Sequence, residues 1–249
     1  MIGTPGWVSA PAGFVLDIAD FTSQGTRQGP LVGAIINLLV PITVSEQSGA
    51  TANLSANVAM GALLSDLRVG IMGRFDNANT LDVFLPGVTL ASVPDEQILA
   101  GDNVFALETA QGWEIFQAVN AALIAPDTYR LSRLLRGQSG TDYILGEILP
   151  AGARVVYLGR GWADIPISDE LIGEMIEFHA AASGRADTET ISHSYQANHL
   201  RPLAPVHLKT VLSGDDFVVT WIRRTRQGGD DWAAIEVPLG EEEERYLVL

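Results

Sequence analysis

The sequence predicts a mainly β fold: a large barrel- or sandwich-like domain over residues 1–185, a linker over 186–200, and an incomplete second β domain over 201–249. Three observations lead there. Apolar residues recur with a period of two in short segments, the pattern of a half-buried strand. Those segments are joined by Pro, Gly and Asp turns rather than by long helical patterns, which favours a barrel or sandwich over a βαβ fold. Finally, 47% of the 249 residues are apolar, enough to fill a core.

The elements follow in chain order. Residues 12–20 (Ala-Gly-Phe-Val-Leu-Asp-Ile-Ala-Asp) alternate in part and read as a strand. Pro30 to Val44 carries Ile35, Ile36, Leu38, Leu39 and Val40, and fits either a buried strand pair or a short helix. Its apolar core, broken by Gly33, Asn37 and Pro41, is shorter than the roughly 20 residues of a membrane span. Residues 45–57 are polar and read as a connection. Leu81, Val83 and Leu85 alternate with Asp82 and Phe84 before a Pro86-Gly87 turn. Ser92 to Ala100 reads as a helix of one to two turns, with Pro94 at its start, Asp95 and Glu96 in its first turn and Gly101 closing it. Trp113 to Ile124 is a strand, Pro126-Asp127 a turn, and Tyr129 to Leu135 its antiparallel partner; Ala153 to Leu158 is another strand. Glu170 to His179 is helix or strand, and Gly173 tips it towards strand. Ser183 to Asn198, rich in Gly, Ser, Thr and Asp, reads as the linker.

Beyond it, Arg201-Pro-Leu-Ala-Pro opens a second pattern: Val206 and Leu208, then Phe217 to Trp221, then Arg245 to Leu249. Two prolines followed by strands, one bearing a tryptophan, resemble the start of a fibronectin type III-like sandwich. Such a sandwich needs about seven strands and roughly 100 residues. The run Tyr246-Leu-Val-Leu closes the sequence inside a β pattern, so the chain is expected to be part of a longer polypeptide.

Charge narrows the function classes. The net charge of −15 opposes nucleic acid and anionic membrane surfaces. With no cysteine, disulfides, thiolate metal sites and a cysteine nucleophile are excluded. Fourteen of the fifteen basic residues are arginines, the side chain suited to planar, two-point pairing with carboxylates; Lys209 is the lone lysine. Residues 1–6 show no signal peptide.

Against this acidic background, Arg130, Arg133 and Arg136 fall within seven residues and run into Gly137-Gln-Ser-Gly140. A strand ending in a turn that carries guanidinium groups predicts fixed ion pairs or an interface, not catalysis. Other candidates read as ordinary surface. His179, His193, His199 and His207 have spacings that match no metal-ligand pattern. The pairs Asp95/Glu96, Asp169/Glu170 and Asp215/Asp216 read as solvated charge, and Glu241 to Glu244 as an exposed loop. Asp76-Asn77-Ala78-Asn79 lacks the glycine and glutamate of a calcium loop and reads as a turn made by Asx side chains. Arg223, Arg224 and Arg226 are expected to pair with Asp230, Asp231 or the glutamate run. No catalytic residue, cofactor site or metal site is expected.

The segment Tyr129-Arg-Leu-Ser-Arg-Leu-Leu-Arg-Gly-Gln-Ser-Gly-Thr-Asp142 resembles a signature of the large tail hub proteins of gene transfer agents and related siphophages, the "megatron" or GTA TIM-barrel-like host specificity family. Asp76 to Leu85, Trp113-Glu-Ile-Phe-Gln, Leu123-Ile-Ala-Pro-Asp-Thr-Tyr, Arg201-Pro-Leu-Ala-Pro-Val-His-Leu, Trp221-Ile-Arg-Arg-Thr-Arg and Val237-Pro-Leu-Gly-Glu-Glu are similar to further stretches of that family, in the same order. The resemblance implies a place in its C-terminal part, in a homotrimer that closes the distal tail tube and opens it for delivery. It implies partners among distal tail, hub and receptor-binding proteins, a virion location at the tail tip after synthesis in the bacterial cytoplasm, and no sequence-specific nucleic-acid binding. The family's glycoside-hydrolase-like barrel has no counterpart here, so no hydrolase residue carries over.

The leading expectation is therefore a non-enzymatic scaffold. Arg130, Arg133 and Arg136 would act as ion-pair anchors, with Trp113 and Tyr129 as core or interface aromatics. The competing expectation is a carbohydrate-binding or glycan-hydrolysing module of the cell envelope, with Trp162, Trp221 and Trp232 as the aromatics to inspect in a groove.

Overall fold

The chain was analysed as a computed structural model, which describes residues 11–21, 27–36, 40–146, 148–229 and 235–247. In chain order the strands are β1 (Ala12–Leu16), β2 (Leu31–Ile35), β3 (Ile42–Glu46), β4 (Thr51–Leu54), β5 (Ala59–Leu63) and β6 (Asp76–Phe84). After the helix α1 (Asp95–Leu99) come β7 (Val104–Thr109), β8 (Gly112–Ala125), β9 (Thr128–Gln138), β10 (Arg154–Tyr157), β11 (Trp162–Asp164), β12 (Met175–Ala182) and β13 (Thr188–Ser194). The last two are β14 (Val206–Ser213) and β15 (Asp216–Ile222). The fold is mainly β, as the alternation predicts.

Six strands close into a barrel in the order β10-β5-β6-β9-β8-β7. Every strand places apolar residues inward: Leu63, Leu81, Val83, Phe105, Leu107, Phe116, Leu131 and Val155 are all at most 1% exposed. So small a barrel leaves room for side chains and no channel. At Gly61 a Cβ would stand 1.7 Å from the Phe84 carbonyl oxygen, so glycine is what lets β5 pass that close to the end of β6.

The barrel does not stand alone. A three-stranded sheet, β1-β2-β11, covers one flank, with Leu16, Ile18 and Leu31 packed on Ala106, Ile115 and Val156. Its other face, Val32 and Ala34, meets a four-stranded sheet, β13-β12-β3-β4, through Ile42, Val44, Phe178 and Ala180. β2 is thus buried on both sides, which explains its unbroken apolar run Leu-Val-Gly-Ala-Ile.

Several expectations change here. Pro30 to Val44 is two strands, yet β2 and β3 lie in different sheets. The stretch 45–57 is no plain connection, because Thr51–Leu54 pairs with β3 and buries Ala52 and Leu54. The expected linker 186–200 holds β13, paired along its length with β12, followed by the fully buried Tyr195. Its threonines and serines sit on the solvent side of a pleat, where β-branched polar residues are at home. Past residue 201 the described residues form one two-stranded sheet, β14-β15; Arg245, Tyr246 and Leu247 lie outside any strand. No helix among the described residues is long and apolar enough to cross a membrane.

Candidate functional site

The arginine-rich strand β9 is the organising element of the barrel wall. Its inward residues are Tyr129 and Leu131, and then Leu134 and Arg136. The alternation slips by one residue at Arg133, whose φ of +54° bends the strand. Opposite it, β6 carries three residues between Asp76, paired with Leu134, and Thr80, paired with Ser132. That phase change is what sends the three guanidinium groups to three different environments.

Arg130 faces out and makes two bonds to Asp82, Nε–Oδ1 at 2.7 Å and Nη2–Oδ2 at 2.8 Å. The guanidinium holds the Asp82 carboxyl below its usual range, but the arginine is exposed, so the pair adds little to stability. Arg133 is half-buried and clamps Asp95 at the start of α1 through Nη1 and Oδ1 and through Nη2 and Oδ2 at 2.6 Å. Its guanidinium also lies over the Phe75 ring at 4.6 Å. Arg136 points into the barrel end, 1% exposed, against a fully buried Glu114. Nε donates to Oε1 at 2.8 Å, Nη2 to Oε2 at 2.5 Å and Nη1 to the Arg68 carbonyl at 2.8 Å. Beside it lies the buried Asp76. Burial alone would raise its carboxyl, but bonds from the Asn79 side chain and from the Asn79 and Ala78 amides, with the Arg136 charge, hold it below its ordinary range. The turn expected at residues 76–79 is thus an Asx motif.

Of the two aromatics, Tyr129 is in the core: its hydroxyl donates to the Val88 carbonyl at 3.0 Å and closes the opposite barrel end. Trp113 is half-buried, packed against the flanking cluster while lining a cleft. The end of the arginine-rich segment ties the C-terminal part to the barrel, since Arg224 bonds both Asp142 oxygens at 3.2 Å. Arg223 pairs with Glu244 and Arg226 with Glu241, the expected pairing with the glutamate run, and Glu242, Glu243 and Glu244 are exposed as expected of that loop. Asp230, Asp231 and Trp232 lie outside the described residues.

Sequence reasoning missed a buried polar cluster beneath the sheets. Asp17 accepts from the Gln196 amide at 2.6 Å and the Asn198 amide at 2.8 Å. Burial works to raise its carboxyl; His193 and those amides overcome this and lower it. Tyr195, stacked on His199 at 6.4 Å between ring centroids, is pushed up to about 12 by burial and by Asp17, Asp169 and Asp164. His199 is 3% exposed, and burial, then Arg27, lowers it, against the pull of Asp17, Asp164 and Asp20. The unfolded imidazole takes up a proton below about pH 6.5 while the folded one resists, so stability falls as pH drops from there through the depressed value. Tyr195 acts at the other end, its contribution fading as pH rises from 10 towards 12. Melting temperature should fall between pH 7 and pH 5, and less steeply in His199→Gln; a flat wild-type profile across that window refutes the assignment.

The histidines are not brought together as ligands: His179 contacts Thr190, His193 sits by Asp17, His199 is buried and His207 is exposed. Among the described residues no group of three or more His, Asp or Glu could hold a metal ion. Trp162 is half-buried with its indole donating to the Tyr157 carbonyl at 3.1 Å. Trp221 meets Tyr246 edge-on at 4.7 Å in a groove of about 880 Å3 beside β15.

Comparison with known proteins bears on the barrel. No curated protein matches the chain. Residues 58–156 match the family model described as "Rcc01698-like, C-terminal", a name associated with gene transfer agents. That stretch is the barrel's own span, since β5 begins at Ala59 and β10 ends at Tyr157. The closed barrel, with its arginine-rich strand, is therefore the part of this chain that is similar to a gene-transfer-agent-related family.

Proposed function

We propose that the chain is a structural, non-enzymatic component of a phage or gene-transfer-agent tail tip. In this reading it is a hub piece that closes the distal tube as a homotrimer and supports host attachment and genome delivery. The observation that carries it is the coincidence of the family match with the barrel. The fixed ion pairs of β9 support it, because rigid side-chain locks suit a load-bearing wall. The two-stranded β14-β15 sheet, with Leu208, Leu212 and Phe217 each more than 60% exposed, fits the first hairpin of a fibronectin-like module awaiting further strands.

Two measurements test the reading. Light scattering on the purified chain should give three times 26.6 kDa. Gold-labelled antibody against the chain should decorate the distal end of tailed particles in electron micrographs. Label on heads or along the tail shaft would sink the proposal.

A further inference from the structure

Residues 68–74 (Arg-Val-Gly-Ile-Met-Gly-Arg) wrap the Arg136 end of the barrel. The bond from Arg136 to the Arg68 carbonyl and the bridge between Met72 and Arg136 hold them there. A Cβ at Gly70 would stand 2.9 Å from Arg136 Nη1, so glycine is what seats the strip so closely. Its side chains face outwards: Arg68 and Arg74 are exposed, with Val69 at 49% and Met72 at 54% between them. The two arginines also stand apart in their bonding. Every other arginine of the chain touches a carboxylate, a backbone carbonyl or an aromatic ring. The guanidinium groups of Arg68 and Arg74 have no partner among the described residues.

The outermost sheet carries the opposite pattern. Glu170, Ile172, Glu174, Met175 and Glu177 are all exposed, Ile172 at 47% and Met175 at 61%. Met175 and Glu177 share the outer face of β12, because Ile176 and Phe178 take the inner one. The Gly173 amide donates to the Tyr195 carbonyl at 2.7 Å and the Tyr195 amide to the Glu174 carbonyl at 3.0 Å, which fixes the turn before the strand. The three glutamate carboxylates make no ion pair among the described residues. The sheet β1-β2-β11 stands between this strip and the barrel, so one copy cannot join its own two strips.

Charge and shape of the pattern select the occupant. Nucleic acid or an anionic lipid face offers phosphates everywhere, and would press them against the acidic remainder of a chain of net charge −15. A second copy offers carboxylates only where they border apolar side chains, and the like net charges are screened beyond about 8 Å at physiological salt. We infer that residues 68–74 of one copy dock on residues 170–177 of another. Val69 and Met72 lie against Ile172 and Met175, and Arg68 and Arg74 pair with the surrounding glutamates. Two different patches meet, so the contact is heterologous, runs head to tail and can close into a ring. The inference rests on the tail-tip reading only for the number of copies, three.

Light scattering on the whole chain over a concentration series tests it. Arg68→Glu with Arg74→Glu should weaken association about a hundredfold, and so should Glu174→Arg with Glu177→Arg. The milder Arg68→Gln with Arg74→Gln should lose about tenfold. All these side chains are exposed, so each variant should melt like the wild type. The variant carrying all four reversals restores opposite charges across the contact and should associate again. A wild type that stays monomeric at about 100 µM overturns the inference, as does a fourfold variant that stays monomeric. Binding of the wild type to phosphatidylglycerol vesicles, lost in the arginine variants, would give the strip to a membrane instead. A trimer unmoved by the paired variants sinks this contact and leaves the tail-tip reading standing; label on particle heads does the reverse.

Discussion

Arg136→Ala should destabilise the chain by about 3–5 kcal/mol, because it leaves Glu114 buried, charged and without its partner. For a chain of this size that is a loss of roughly 10 °C in melting temperature. The cost is one of abandonment, and replacing both members tests this: Arg136→Met with Glu114→Leu should recover much of the loss, since apolar pairs of similar volume often match a buried ion pair. Arg130→Ala, at an exposed pair, should melt like the wild type. Urea denaturation of the three variants decides the matter. Equal stability of Arg136→Ala and Arg130→Ala would mean that burial does not set the rank of these arginines.

Phe105→Ala should cost a comparable amount, about 3–5 kcal/mol. The ring is fully buried at the barrel centre, stacked on Phe116 at 5.2 Å and tilted against Tyr157 at 5.2 Å. Strands on every side are hydrogen-bonded in a closed ring, so the wall cannot collapse into the void, and the upper part of that range applies. Leu123→Ala, at a side chain 64% exposed on the β8-β9 tip, is the matched control and should move little. A Phe105 variant within 1 kcal/mol of wild type by urea titration would show that the interior repacks.

The β8-β9 hairpin was legible in the sequence because its alternation is long and a Pro126-Asp127 turn separates the halves. Strands β4 and β13 were not, since their alternation is written in alanine, threonine and serine, whose hydropathy contrast is small. The anchoring arginines stood out against an acidic chain, but their partners did not. Asp82, Asp95 and Glu114 lie 48, 38 and 22 residues away, and strand register, not local pattern, selects them. Glu114 had one readable sign: it shares a strand face with Phe116 and Ala118, where a charge needs a partner. Asp17, Tyr195 and His199 are brought together by sheet packing across almost 180 residues, which no local spacing reveals.

The solid interior of the barrel bears on how a tail tip built from this chain would open. Side chains fill it from the Tyr129 end to the Arg136 end, so no thread of polymer passes through a single copy. If the proposed trimer forms, its aperture would lie on the symmetry axis, with each barrel a wedge of fixed cross-section around it. Opening would then be a matter of tilting or parting wedges, as the leaves of an iris move, and its energetic barrier would reside in the seams between copies.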